Sequence, residues 1–386
     1  MASIGNILAI AKGGAGIVRD GEKTVFIPGV IAGETVEYAV TGRLRSAWQG
    51  KLLRVLQASP RRVEPPCPHY GDCGGCNLQH MSYDEQLRSK AGILGDNLRR
   101  IAKYEPASIP TLLGSPSERY RVKSEFQVRN GVAGFFARES HRIVAISGCL
   151  LLPPVVQDFF LARRADLSGC EQARLQVISN GRELAARLET AGGGEKWLSR
   201  DRSVVLELAP YSYRCGPEQF VQANLFQLRP MLDLLEKTLA ATEIATAVDL
   251  FCGGGFLTLP LAARCRNVWA VESDPGNVAA LQANLALNRA ENVRVVHGDA
   301  LRVPIPAAEL IVVDPPRGGL SARLINALAA NAATTVVYFS CDSATFARDL
   351  RLFIQQGYQP RELTLLDNFP HSDHFEIFSI LKKGVG

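Results

Sequence analysis

The segment "AVDLFCGGGFLTLPLA" (residues 247–262) decides the fold. Its apolar run into Asp249 and Leu250 reads as a buried strand, the three glycines as a turn, and the residues after them as a helix. Glu272 closes the next strand, 23 residues beyond Asp249. The strand-like runs "VRVVHGD", "LIVVDPP" and "TVVYFSC" follow, with helical stretches between them. Helices alternating with strands from about Gln219 onward predict a doubly wound parallel sheet of the α/β, Rossmann-like class. The last two runs, "ELTLLDNF" and "FEIFSILKK", have no helix between them and are expected to form an antiparallel pair on that sheet.

A glycine-rich turn lets backbone approach a ligand, and an acid at the second strand end can bind both hydroxyls of a ribose. That much would fit a dinucleotide. The loop is not G-x-G-x-x-G, however, and further acids, Asp299 in "VHGDA" and Asp314 in "VVDPPR", end the third and fourth strands. S-adenosylmethionine suits this set better. It has no pyrophosphate, and it is a cation that carboxylates and carbonyls can hold. Methyltransferases acting on exocyclic amines place an aromatic residue after Pro-Pro; Arg317 stands there, which argues against an amino-group substrate.

Cys341, in "YFSCDSATF", follows a strand in the same crevice as Asp314. By itself it reads as a small packing hydrophobe. Beside a methyl donor it acquires a chemical use. Carbon 5 of uracil is too weak a nucleophile to take a methyl group unaided, and a thiolate added at carbon 6 builds the enolate that makes it one. A base must then remove the carbon 5 proton. Glu376 in "HSDHFE" is the first candidate for that base, and His374 the second.

The 386-residue chain is 47% hydrophobic, which is enough for two or three domains. No long apolar run suggests a membrane segment, and the start lacks a basic leader, so a cytoplasmic location is expected. Nine cysteines in such a compartment point to metal binding or catalysis rather than disulfides. Residues 1–62 hold nine Lys and Arg against four Asp and Glu, an excess that suits a polyanion such as RNA.

Residues 1–58 alternate and turn like a small β-barrel, with Arg43, Arg45 and Lys51 as candidate phosphate contacts. A Pro- and Cys-rich knot follows, then a helix over Tyr83–Ile101 with Ser82 as N-cap and Glu85 three residues on. Residues 109–215 look mixed, without a readable topology. The expected units are 1–58, a mixed α+β central part at 59–218, and the α/β part at 219–386. Cys67, Cys73 and Cys76, with Cys149 as fourth ligand, could hold zinc or an iron–sulfur cluster, and spacing alone does not choose.

Together "FVQAN", "DLFCGGGF", "VVDPPR", "YFSCDSATFARDL" and "FPHSDHFE" resemble the motifs of the RNA (uracil-5-)methyltransferase family, and the resemblance spans nearly the whole chain. It implies a class I methyltransferase domain with Cys341 as nucleophile and Glu376 as base. It further implies donor contacts at Gln222, Phe251, Glu272, Asp299 and Asp314. The basic amino-terminal unit is similar to that family's RNA-binding TRAM domain. The four cysteines are similar in arrangement to those holding a [4Fe–4S] cluster in its ribosomal RNA enzymes, so ribosomal RNA is favoured over transfer RNA and a monomer is expected. Two positions depart from the pattern: Phe256 stands where a small polar residue is usual, and Ser343 where proline is usual. A carbon 5 cytosine methyltransferase and a non-catalytic RNA-binding protein are the alternative readings.

Overall fold

The computed structural model describes residues 2–106, 110–241, 243–331 and 333–384. Six strands open the chain: β1 (Ala2–Asn6), β2 (Ala9–Ile10), β3 (Ala15–Asp20), β4 (Lys23–Pro28), β5 (Thr35–Arg43) and β6 (Trp48–Gln57). They form a curled sheet in the order β1-β5-β6-β4-β3-β2. Alternation turns Val18, Val25, Ile27, Val36 and Tyr38 inward, where they are buried. Buried Glu34 closes the unit: its carboxylate accepts Ile31 N–H, Ser59 N–H and two guanidinium donors of Arg62. Burial alone would raise its pKa, but the Arg62 pairing outweighs it and the carboxyl sits below its ordinary range.

Helix α1 (Tyr83–Asn97) occupies the expected place, and its last turn widens into a π-turn over Leu98–Ala102. The capping box does not form. Ser82 stands at the N-cap, yet its Oγ is buried without a partner among the described residues, while Glu85 pairs with Arg88 at 3.5 Å. The Ser82 N–H is instead held by the Arg61 carbonyl at 2.8 Å, which fixes the helix entry without the side chain.

The segment without a readable topology holds a short strand, β7 (Thr111–Leu113), and a second antiparallel sheet. That sheet comprises β8 (Lys123–Arg129), β9 (Val132–Phe136), β10 (Ile143–Ala145), β11 (Gln172–Ser179), β12 (Leu184–Thr190) and β13 (Glu195–Trp197), in the order β10-β9-β8-β11-β12-β13. Helix α2 (Pro154–Leu167) covers one face through Val156, Phe160 and Leu167. A hairpin of β14 (Val204–Leu208) and β15 (Tyr211–Cys215) leads to α3 (Leu228–Ala240).

The remainder is the expected doubly wound unit: β16 (Thr246–Leu250), α4 (Thr258–Arg264), β17 (Asn267–Glu272), α5 (Pro275–Leu287), β18 (Val293–His297), β19 (Leu310–Val313), α6 (Ala322–Ala330), β20 (Thr335–Ser340), α7 (Ser343–Gln355), β21 (Tyr358–Leu366) and β22 (Glu376–Lys383). The sheet order is β18-β17-β16-β19-β20-β22-β21-β7. Strands β16 to β20 are parallel, and β22 inserts antiparallel to both β20 and β21. Period-two alternation divides the core. Val248, Leu250, Ile311 and Val313 face α6 and α7, whereas Ala247, Leu310 and Val312 face α3, α4 and α5. The apolar cluster on the first face continues through Ile93, Leu94, Leu78 and Met81 into the amino-terminal sheet.

Lys90 of α1 is fully buried and donates to Asp367 Oδ1 at 2.5 Å and to the Phe369 carbonyl at 3.0 Å, which ties α1 to the chain leaving β21. Breaking a pair this deep strands one charge in the core. Lys90→Ala should therefore lower stability in urea unfolding by about 3–5 kcal/mol. Arg88→Ala, on the exposed face of the same helix, should cost less than about 1 kcal/mol. Equally small losses in both would contradict the role given to Lys90.

Candidate active site

The sheet brings its functional side chains to one edge, the carboxyl ends of β16, β17, β19 and β20. The turn after β16 is tight: Phe251 adopts φ +62°, in the left-handed region, and Gly255 adopts φ +91°. A Cβ on Gly255 would lie 2.6 Å from Leu281 Cδ1 of α5, so glycine is required where this loop meets that helix. Asn284 of α5 donates to the Gly254 carbonyl at 2.9 Å and accepts from Arg214 N–H at 2.8 Å, strapping loop and β15 together.

Gln222, Asp249, Phe251 and Asp314 line one crevice with Phe220 and Phe256. Gln222 Nε2 donates to Asp314 Oδ2 at 2.9 Å. Thr258 Oγ1 donates to Asp249 Oδ2 at 2.6 Å, and Asp249 Oδ1 is buried with no partner among the described residues. Burial raises both carboxyls to about 7; in Asp249 the charges of Asp314 and Glu272 add to the effect. Acids in this condition favour a cationic ligand, which restores the ionised form. That suits a sulfonium donor.

Glu272 lies beneath the loop. Its Oε2 accepts Gly253 N–H at 2.9 Å, and its Oε1 accepts the N–H groups of Ser273 and Asp274 at 2.8 Å each. Asp299 stands apart from the crevice lining. It is exposed, and its Oδ1 accepts Leu301 N–H at 2.9 Å. Asn224, of the same "QAN" run as Gln222, turns away from the crevice: it is fully buried and donates to Ser115 Oγ at 2.9 Å. Phe256 packs on Tyr213 with ring centroids 5.6 Å apart and walls the crevice with an apolar face. Phe220 is 64% exposed at the crevice, and its one signal in the sequence is an aromatic beside "VQAN".

Cys341 sits between β20 and α7. Ser340 pairs with Ile377, so Cys341 and Glu376 are the next facing positions of the β20–β22 ladder, and the pairing of Val313 with Tyr338 brings Asp314 alongside. Asp342 caps α7 through Oδ1, which accepts Ala344 and Thr345 N–H at 3.0 Å each, and it pairs with Lys12 from the amino-terminal sheet. Ser343 Oγ accepts from Asn97 Nδ2 at 2.8 Å, a tie to α1 that proline could not make. Burial pushes the Cys341 thiol up to about 12; Glu376 and Asp314 add to this, and Arg317 opposes it.

Glu376 is 3% exposed, and its Oε1 has no partner among the described residues. Burial, and then the Asp314 charge, raise its pKa well above the carboxylate range. His374 lies edge-on to Phe369 and lines a different cavity, that of the cysteines.

That second cavity, of about 940 Å³, is lined by Cys67, Cys73, Cys76 and Cys149 together with Lys12, Arg121, Arg138 and His69. Burial lifts Cys76 to about 12 and Cys149 to about 11, with the neighbouring thiols adding to both. A thiolate-bound metal centre would draw on four such thiols, which here line one cavity without closing on a common point. Among the described residues no three His, Cys, Asp or Glu groups converge closely enough to hold a metal ion.

The parallel sheet with its inserted antiparallel strand, the glycine loop and the acid-lined crevice together define a class I S-adenosylmethionine-dependent methyltransferase. Residues 198–304 and 305–384 match the family described as tRNA (Uracil-5-)-methyltransferase. Over 97% of its length the chain is 33% identical to the 23S rRNA (uracil(1939)-C(5))-methyltransferase RlmD of Pseudomonas entomophila, covering 92% of that protein. It is 32% identical to the enzyme of the same name from Pseudomonas putida, over 98% of this chain and 93% of the other. In fold it is similar to the crystal structure of the Pyrococcus abyssi tRNA (uracil-54, C5)-methyltransferase in complex with S-adenosyl-L-homocysteine. That likeness has a TM-score of 0.79 and 22% identity, and covers 98% of this chain and 99% of that one. The chain belongs to the RNA (uracil-5-)methyltransferase family, enzymes that use S-adenosylmethionine to methylate carbon 5 of uracil in RNA.

A thiol raised this far gives a direct test. Alkylation of Cys341, followed by mass spectrometry of its peptide, should climb about tenfold per unit between roughly pH 7 and pH 9 without a plateau. Glu376→Gln removes one of the raising charges and should move the profile to lower pH. A wild-type plateau inside that range would contradict the electrostatics.

Proposed function

We propose that this protein forms 5-methyluridine in 23S ribosomal RNA, with Cys341 as nucleophile and Glu376 as general base. The observation that carries the reading is that Cys341 and Glu376 come directly after the last β20–β22 pair, Ser340 with Ile377, near enough for the Glu376 and Asp314 charges to act on the thiol. Near full-length similarity to ribosomal RNA enzymes supports the RNA class.

In this mechanism the Cys341 thiolate adds to carbon 6 of uracil; a C–S bond forms, and the carbon 5–carbon 6 electron pair moves into an enolate with nucleophilic character at carbon 5. S-adenosylmethionine, when bound, supplies the electrophilic methyl group that carbon 5 takes. Glu376 then removes the carbon 5 proton, the freed electron pair restores the double bond, and the C–S bond breaks to return the thiolate. Glu376 takes that proton in its ionised form, which a cationic donor bound nearby would favour. Its burial against β20 favours it over His374, which faces the cysteine cavity. Gln222, Phe251 and Asp314 would hold the donor in the crevice, Glu272 its ribose side and Asp299 its outer edge. Phe220 offers an exposed ring on which an extruded base can stack.

The proposal assigns RNA docking to residues 1–58, cysteine-cluster support to 59–218 and catalysis to 219–386, in one chain acting as a monomer. Arg43, Arg45 and Lys51 would meet the phosphates, beside Trp48, whose ring lies 5.6 Å from the Arg43 guanidinium and 5.3 Å from Lys23 Nζ. Cys67, Cys73, Cys76 and Cys149 would hold a [4Fe–4S] cluster, which would cross-link the turn-rich segment to the strand region near Cys149. Zinc is the alternative occupant.

RNA carrying 5-fluorouracil should trap a denaturation-resistant adduct, since fluorine cannot leave as a proton does, and Cys341→Ala should form none. Glu376→Gln should transfer one methyl group and stay attached to the RNA; normal multiple turnover would remove the base assignment. Mass spectrometry of RNA from cells lacking the gene should show one 5-methyluridine missing from 23S ribosomal RNA. Loss from transfer RNA, or loss of 5-methylcytosine, would redirect the substrate. Anaerobically purified protein should carry about four irons per chain, lost on Cys73→Ser, and stoichiometric zinc without iron would replace the cluster by the alternative.

A further inference from the structure

The loop between β21 and β22, residues 367–375, delivers Glu376 to its place, and contacts from outside it add to its own turn bonds. His371 adopts φ +70°, a left-handed conformation that a residue with a side chain keeps only when its surroundings impose it. Gln86 of α1 supplies part of the restraint, its Oε1 accepting His371 N–H at 2.8 Å, and the segment directly after Cys76 supplies the rest. The N–H groups of Asn77 and Leu78 both donate to the His371 carbonyl at 3.0 Å. The Asn77 side chain then locks onto Asp373 in both directions: Nδ2 donates to Asp373 Oδ1 at 2.7 Å, and Oδ1 accepts Asp373 N–H at 3.0 Å. Gly13 of the amino-terminal sheet completes the clamp, its N–H on Asp373 Oδ2 at 2.6 Å and its carbonyl accepting from Asn77 Nδ2 at 3.1 Å. Asp373 is buried and lies three residues before Glu376, so the clamp sets where β22 begins.

We propose that Asn77 is a positioning residue for the base-bearing loop, through which the cysteine-rich segment takes part in the release step of the reaction. Asn77 is not among the residues lining the donor crevice and lies at the edge of the cysteine cavity. It acts by holding the backbone that fixes the Glu376 carboxylate, and so serves the step in which Glu376 takes the carbon 5 proton, the electron pair re-forms the ring double bond and the C–S bond to Cys341 breaks. Attack by Cys341 depends on the end of β20 and the cap of α7, which Asn77 does not contact. Asn77 should therefore influence release and leave the first covalent step alone. The inference rests on Glu376 being the base.

The test compares two covalent species in the full-length protein. With 5-fluorouracil RNA, Asn77→Ala should form its adduct within about twofold of the wild-type rate, because trapping there needs no base. With unmodified RNA and labelled donor in a single turnover, the methylated enzyme–RNA conjugate should persist, its breakdown slowed at least about tenfold. The exchange Asn77→Asp with Asp373→Asn reverses the side-chain pair and keeps the residue-373 N–H contact while losing the bond to the Gly13 carbonyl, and should recover release in part. Breakdown at the wild-type rate in Asn77→Ala would overturn the proposal. So would a parallel fall in both steps, or a fall in bound metal accompanying the defect. Glu376→Gln separates the two readings: normal release in that variant removes the base assignment itself, whereas stalled release there with normal release in Asn77→Ala removes only the role of Asn77.

Discussion

Insertion of β22 between β20 and β21 is the constraint on which the rest of the structure depends. Antiparallel pairing of Ser340 with Ile377 sets Cys341 and Glu376 opposite one another, and a slip of one residue would turn Glu376 to the other face of the sheet. Burial enforces the register: the inserted strand is buried from Glu376 through Leu381, and its alternate residues feed two different cores. Moving the strand would exchange those contacts wholesale. The sheet thus holds the proposed reacting pair with the stability of its own interior.

That arrangement concentrates acids. Asp249, Asp314 and Glu376 are all displaced upward, chiefly by burial, with the Asp314 charge adding to the effect on Asp249 and Glu376, and the Cys341 thiol rises with them. Each is a poor place for a negative charge until a positive one arrives. Arg317, in the position where amine methyltransferases carry an aromatic residue, is a fixed charge that acts in this sense on the thiol. A cationic methyl donor would act in the same sense on the crevice, so donor chemistry and thiol chemistry share one electrostatic problem.

The catalytic edge is also held from outside the doubly wound unit. Lys12 pairs with the cap of α7, Gly13 with Asp373, and Gln86 and Lys90 of α1 with the loop ahead of Glu376. Tyr120, from the chain entering the second sheet, donates to the Pro370 carbonyl at 3.1 Å. These contacts come from chain positions more than 200 residues away in sequence, and they place the amino-terminal and central segments against the reacting groups.

What the sequence by itself determined was local. The parallel strands, their helices, the glycine turn and the final antiparallel pair were legible because each is written in a short period of apolar residues with turn formers between. The acids at the strand ends were legible for the same reason, since their places follow from where each strand stops. The tertiary structure alone decided which acids share the crevice. Asp314 and Gln222 meet there, Glu272 is taken up by the glycine loop, and Asp299 faces solvent. It alone decided that Asn224 is buried scaffold and that Ser82 leaves its helix uncapped. The central sheet, whose order joins β8 to β11 across a helix, and the strap from Asn77 to Asp373 were not readable, because pairing partners far apart in the chain leave no periodic trace in either segment. Periodicity records which face of an element is buried; only the assembled chain determines what it is buried against.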